Sequence, residues 1–345
     1  MHSIKGRLLY QVGNRGLLFE HLSFYDVNLE DGKRKLIAKL SIGKLTRFLC
    51  HFRLYARLKR LDPRCAGKLD DSRYVVCVLG KIWLVDIQKK RVDKLIETRS
   101  GFGLLNYCES NNCLYWGDYG INANYDEINI YRLDGNLNIR IVYTFPEGSI
   151  RHIHNIVKDG DGFVVMAGDN EPEAGIYHAN ADWTKVTPWK NGEQRYRAVV
   201  GFPCMRGFIY ATDSVETENH IRLIDANGKE SILTAINGSC IYGCETKDYF
   251  LFSTTVEPHE GGGKLSLIFE KLGGGIKSRD ITIVAVRKED LSVRQVTSFK
   301  KDGWPMKLFQ YGRCIFACGG QNTNSVWCSP VACKNFDGKT IKIEL

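Results

Sequence analysis

Proline is scarce in this chain, at 8 of 345 residues, and no apolar run approaches the ~18 residues that a membrane-spanning helix requires. With 43% hydrophobic and 25% charged residues the composition is that of a globular protein, which excludes a disordered or low-complexity chain. Met1-His2-Ser3-Ile4-Lys5-Gly6-Arg7 leads straight into a strand-like run without the apolar core of a secretory leader, so cytoplasm is the expected compartment. The 12 cysteines include no Cys-x-x-Cys pair. Most stand in apolar runs such as Tyr74-Val-Val-Cys-Val, where free thiols act as small hydrophobes. Gly261-Gly-Gly-Lys264 lacks the first glycine and the hydroxyl residue of a phosphate loop. No nucleic-acid motif is present, although residues 1–100 carry 22 Lys+Arg against 10 Asp+Glu, a balance of +12. The remainder carries 26 against 29, or −3. A solvated outer face or a docking surface for an acidic partner would each account for the basic third.

Helical periodicity is nearly absent as well. Short strand-like runs recur instead, punctuated by Asp31-Gly32, Asp134-Gly135, Asp159-Gly160, Asn191-Gly192, Asn227-Gly228 and Asp302-Gly303. The runs group at roughly 40–55 residues, the length of a four-stranded propeller blade. Arg151–Val157, Gly162–Asp169, Gly175–Ala179 and Lys185–Trp189 form one set; Gln194–Val200, Gly207–Asp213, His220–Ile224 and Glu230–Thr234 repeat its order. Further sets begin near Leu104, Cys240 and Met306, and residues 4–42 and 46–98 supply looser ones. The prediction is an all-β, single-domain β-propeller over residues 1–345, with seven blades, or six if the ends share one. Thr340-Ile-Lys-Ile-Glu-Leu345 is the candidate closing strand. An insertion at 257–280, bracketed by two triple glycines, reads as a lid or a surface loop.

The functional face is expected where inner strands begin and where strands two and three are joined. In Ser149-Ile-Arg-His-Ile-His-Asn155 the two histidines are two residues apart and share one side of a strand. Aligning the two clearest sets places His152 opposite Arg195 and His154 opposite Arg197, with Asn106 and Trp304 at corresponding places elsewhere. Strand two ends three times in an acid: Asp118, Asp169 and Asp213. Any of these acids can cap a loop backbone, and a lone strand histidine can be an ordinary core residue. Imidazoles and guanidinium groups gathered at one opening, however, require an anion or carboxylates to offset them. Arginine forks match planar carboxylates, and a neighbouring imidazole can move a proton near neutral pH. For a uronate, Arg195 or Arg197 would neutralise the carboxylate, His152 or His154 would take the C5 proton, and Tyr119 would protonate the leaving oxygen. Asn106, Asp118, Asp169, Asp213 and Trp304 are the candidate substrate-binding residues. His152 and His154 with Asp169 could instead hold a divalent metal, the one cofactor this set admits.

Tyr177-His-Ala-Asn-Ala-Asp-Trp-Thr-Lys-Val and Tyr131-Arg-Leu-Asp-Gly-Asn resemble degenerate copies of the Asp-box turn of sialidase-like propellers. The layout over residues 100–235 is also similar to that of propeller polysaccharide lyases, which use His, Arg and Tyr around the channel mouth. That resemblance implies an anionic, uronate-containing oligosaccharide or polysaccharide as partner and β-elimination as the reaction. Two alternatives remain: a glycoside hydrolase using paired Asp residues, and a non-enzymatic propeller docking an acidic partner through its basic first third.

Overall fold

In the computed structural model, which describes residues 2–99, 101, 103–259, 261, 263–320 and 322–345, seven antiparallel sheets stand in a ring. The protein is an all-β, seven-bladed propeller with 7% helix. The innermost strands of blades 1 to 6 are Arg7–Val12, Cys65–Lys68, Cys108–Ser110, Ile153–Asp159, Ala198–Cys204 and Cys240–Glu245. Blade 7 starts at Arg313–Phe316, continues through Ser325–Val331 and Lys339–Glu344, and takes its outer strand from the other end of the chain. There Ser3–Lys5 pairs with the last strand, Ile4 opposite Thr340. Thr340–Leu345 is therefore part of the closure, as the third strand of its sheet.

Fourth strands such as Glu230–Ile236 and Val293–Lys300 show the half-exposed pattern of an outer rim, whereas second strands such as Phe208–Ala211 are buried on both faces. Blades pack face to face through rings such as Phe202 of blade 5 on Phe250 of blade 6, 5.2 Å apart and nearly parallel. Gly117 marks a tight approach near the site: a Cβ there would lie 2.4 Å from Ile153, the residue between the two histidines. All twelve cysteines are free thiols.

Two features were read differently from the sequence. Met306–Phe309 is a short helical turn and not an inner strand, because Arg313-Cys-Ile-Phe takes that place and pairs with Ser325–Val331. Residues before blade 2 fold into two short helices, Lys44–Leu49 and Arg53–Leu58. Arg57, fully buried, anchors the second: its guanidinium reaches Phe309 O at 2.6 Å, Asp302 at 2.5 Å and Asp337 at 3.2 Å. In the 257–280 insertion Glu260 and Gly262 lie outside the described residues. Gly273, Gly274 and Gly275 are pressed against the backbone of Val215, Glu216 and Thr217, where a Cβ would meet carbonyl oxygens at 2.3, 2.7 and 2.0 Å. This second glycine triplet thus permits close contact with blade 5.

Candidate active site at the channel mouth

A cavity of about 800 Å³ opens where the inner strands begin, and it gathers His152, His154, Asp169, Arg197, Tyr119 and Asp213. Local folding explains the arrangement. The inner and second strands of blade 4 pair Ile153 with Ala167 and then Asn155 with Met166, so His154 is the extra residue of a β-bulge. Bulges of this kind redirect a side chain. Gly168, at φ +78°, turns the chain sharply after the second strand, and its N–H donates to His152 O at 3.1 Å. The turn sets Asp169 beneath the two rings. Gln194 Nε2 holds Asp169 O at 2.8 Å, and the buried Glu173 accepts from Tyr125 Oη at 3.1 Å and from the backbone N–H of Arg151.

The two imidazoles are nearly inaccessible. His152 Nδ1 lies 2.9 Å from Gly120 O, and His154 Nδ1 lies 2.9 Å from Ala198 O. A carbonyl oxygen only accepts, so each Nδ1 carries its hydrogen and each Nε2 presents a lone pair when the ring is neutral. Those two Nε2 atoms face each other at 2.9 Å. Asp169 Oδ1 is 3.1 Å from His154 Nε2, and Oδ2 is 3.4 Å from His152 Nε2. Burial holds the His154 pKa below its ordinary value against the opposing pull of Asp169. For Asp169 burial acts to raise the pKa, but the two imidazoles, when they carry a proton on Nε2, hydrogen-bond to it, outweigh burial and keep the carboxyl ionised far below the usual range. Three electron-pair donors thus converge within 4.8 Å of one another. Such a set could hold a cation, either a shared proton or a metal ion, and backbone-oriented Nδ1–H groups are how metal-binding histidines are held.

Arg197 Nη2 approaches Asp169 Oδ1 at 3.3 Å, and its Nε approaches Asp213 Oδ2 at 3.8 Å. Tyr119 packs on His152 with ring centroids 4.6 Å apart, and burial pushes its pKa up to about 12. Seven basic side chains, six Arg and Lys59, line the cavity against four carboxylates, Asp62, Asp169, Asp213 and Glu257. Arg151 Nε and Arg313 Nε are buried without a hydrogen-bond partner among the described residues. The cavity lining therefore carries an excess of basic side chains.

Four expected residues are elsewhere. Arg195 is half exposed, paired with Glu193 at 2.7 Å and Glu230 at 3.6 Å. The alignment that matched it to His152 was two residues out of register. Ala198 pairs with Thr212 as Ile153 pairs with Ala167, which makes Arg197 the counterpart of His152, while Arg195 falls in the Gln194–Tyr196 turn. Asn106 lines a second cavity, of about 820 Å³, at the opposite end of the inner strands. Asp118 lies outside the main cavity, accepting from Asn129 N at 3.1 Å, with its pKa raised by burial. Trp304 precedes the Met306–Phe309 turn, half exposed and edge-on to Phe309.

The sequence reading missed Arg7, Arg60, Arg64, Arg313, Tyr242 and Tyr311 at the same mouth. A signal existed for two of them. Arg7 and Arg313 are the first residues of inner strands, and Arg7 precedes the same bulge that follows His152.

No family model matches the sequence, and no curated protein sequence matches it. Solved structures do match in shape. An oligogalacturonate lyase in complex with manganese covers 99% of this chain and 90% of its own, with TM-score 0.56 at 8% identity. The oligogalacturonate lyase of Vibrio parahaemolyticus covers 99% and 91%, with TM-score 0.54 at 9% identity. The AfRom2 CNH domain covers 99% and 94%, with TM-score 0.56 at 8% identity. At these identities the likeness is one of fold. It extends to lyases and to other propellers alike, and the expected sialidase-like Asp-box resemblance is not shown by these structures.

Proposed function

We propose that this propeller binds a divalent cation through His152, His154 and Asp169 and cleaves a uronate-containing saccharide by β-elimination. The observation that carries the reading is the convergence of three lone-pair atoms, both Nδ1–H groups already committed, on the wall of an arginine-lined cavity. A solved lyase of similar shape, named for oligogalacturonate and containing manganese, supports it. Bound there, a divalent cation would supply Lewis acidity to the substrate carboxylate.

The chain's own residues then have distinct roles. Arg197 and the arginines opposite it hold the carboxylate and raise the acidity of the adjacent C–H bond. The imidazoles, as ligands, cannot also serve as the base. Proton removal falls to Asp213, a cavity carboxylate beside Arg197. The C5–H bond breaks, the C4=C5 double bond forms, and the C4–O bond breaks as the leaving oxygen takes a proton. Tyr119, kept protonated by burial, is the acid for that last transfer. Hydrolysis by paired acids is less well served. Asp169 is held ionised and Asp118 lies outside the cavity, so neither of these two supplies a protonated partner for Asp213 there.

Incubation with uronate oligosaccharides, with and without Mn²⁺, tests the reading through the ultraviolet absorbance of a conjugated unsaturated product. Product should form with Mn²⁺ and vanish with a chelator. Product that is indifferent to chelation returns the base role to His154. New reducing ends without absorbance would overturn elimination.

A further inference from the structure

We propose that the helical excursion between blades 1 and 2 is a docking surface for an anionic lipid bilayer. Residues 32–60 contain ten Lys or Arg and no Asp or Glu. Within this stretch Leu45, Phe48 and Phe52 are 71%, 65% and 58% exposed, and Leu58 is also exposed. Their spacing of three and then four residues gives a single apolar stripe, although a short break separates the helices. Phe48 and Phe52 touch edge to face at 6.2 Å, outside any core cluster.

The second helix of the excursion is anchored to the propeller by ion pairs. Arg53 binds Asp62 at 2.7 Å and Asp337 at 2.8 Å, and Arg57 is fixed as described above. The inner side of the helices is thus tied to blade 7 through arginine, while the outer side presents aromatic and aliphatic groups. Lys35, Lys39, Lys44 and Lys59 stand exposed in the same stretch. Apolar side chains set among lysines and unopposed by acids form the composition of a helix that lies in a membrane interface. Anionic headgroups supply the opposite charge. Two copies of this face would repel each other, which disfavours self-association.

The neighbouring insertion continues the apolar surface. Leu265, Ile268 and Phe269 are exposed, and their segment is joined to the excursion through Met306–Gln310. Glu270 accepts the backbone N–H groups of Met306 and Lys307 at 2.6 and 2.5 Å, and Gln310 Nε2 donates to Arg57 O at 2.8 Å. Because Lys59 and Arg60 also line the main cavity, docking would bring the mouth to the bilayer.

Vesicle co-sedimentation of the full chain tests this, with phosphatidylcholine vesicles compared with phosphatidylcholine–phosphatidylglycerol vesicles at low salt. The protein should sediment with the anionic vesicles only and be released by added salt. F48S/F52S and, separately, K39E/K44E should each lower partitioning roughly tenfold or more, with the far-ultraviolet circular dichroism unchanged. H154A should bind vesicles as the parent does, which separates this proposal from the saccharide chemistry. Absence of sedimentation with anionic vesicles would overturn it, as would equal binding by F48S/F52S. So would a concentration-dependent dimer that F48S/F52S abolishes without lipid, since a second copy would then cover the face.

Discussion

His152 Nε2 stands 2.9 Å from His154 Nε2, with each ring's other nitrogen bound to a backbone carbonyl. Such a contact is unfavourable between two neutral rings, and a cation held by both rings and Asp169 would relieve it. Mn²⁺ titration by calorimetry should therefore show one site in the parent protein. H154A and D169N should each lose it, because removing one of three ligands leaves too few donors for specific coordination.

Without metal, the same cluster makes stability depend on pH. The folded-state pKa of His154 is depressed, so as pH falls through about 6.5 the unfolded chain takes up a proton that the folded chain does not. Asp169 is depressed too, and its contribution is present above about 4 and lost below that value. Melting temperatures of metal-free protein should fall in the first window and again in the second. H154A should flatten the decline near neutral pH.

Arg197 and Arg195 differ by two positions and should differ widely in effect. R197A leaves Asp169 and Asp213 with less compensation inside the cavity, a kind of truncation that costs about 2–5 kcal/mol, so kcat/KM on a uronate should fall by roughly thirtyfold or more. R195A removes an exposed ion pair worth about 0–1 kcal/mol and should leave kcat/KM nearly unchanged. Equal losses in both variants would contradict the two-residue register correction.

Tyr119 is assigned the proton for the leaving oxygen. Y119F should lower kcat by about 10²–10⁴, the range for losing a positioned acid, while Mn²⁺ affinity stays close to that of the parent. Since burial lifts its pKa to about 12, its ionisation should cause no loss of rate through the mildly alkaline range. Stopped assays across that range check this.

Arg57 is the stability test away from the mouth. R57A leaves Asp302 and Asp337 short of a buried partner and should cost about 3–5 kcal/mol, read from urea unfolding. R57M, which keeps the packing of the stem, should cost less.

The propeller was legible because turn dipeptides and paired runs in blades 4 and 5 repeat the same order. His152, His154 and Asp169 followed from strand alternation and from the acid at the end of strand two. Arg195 was set opposite His152, the place Arg197 holds, because a slip of two residues preserves which side of a strand a residue faces, so alternation could not expose it. Trp304 was misplaced because Met306-Lys-Leu-Phe has the apolar look of a strand, whereas its Phe309 N–H closes a helical turn onto Pro305 O and its first two N–H groups go to Glu270. Arg7 and Arg64 escaped notice because blades 1 and 2 repeat poorly, and only three-dimensional closure brings them opposite the histidines.

The seam between Ser3–Lys5 and Lys339–Glu344 has a consequence for how the molecule is made. Arg7 and Arg313 belong to the two blades that this pairing joins. A nascent chain still awaiting its final sheet could already own both imidazoles, yet the guanidinium wall facing them would be incomplete. The guanidinium wall should accordingly be completed late in synthesis, when Lys339–Glu344 leaves the ribosome and meets Ser3–Lys5.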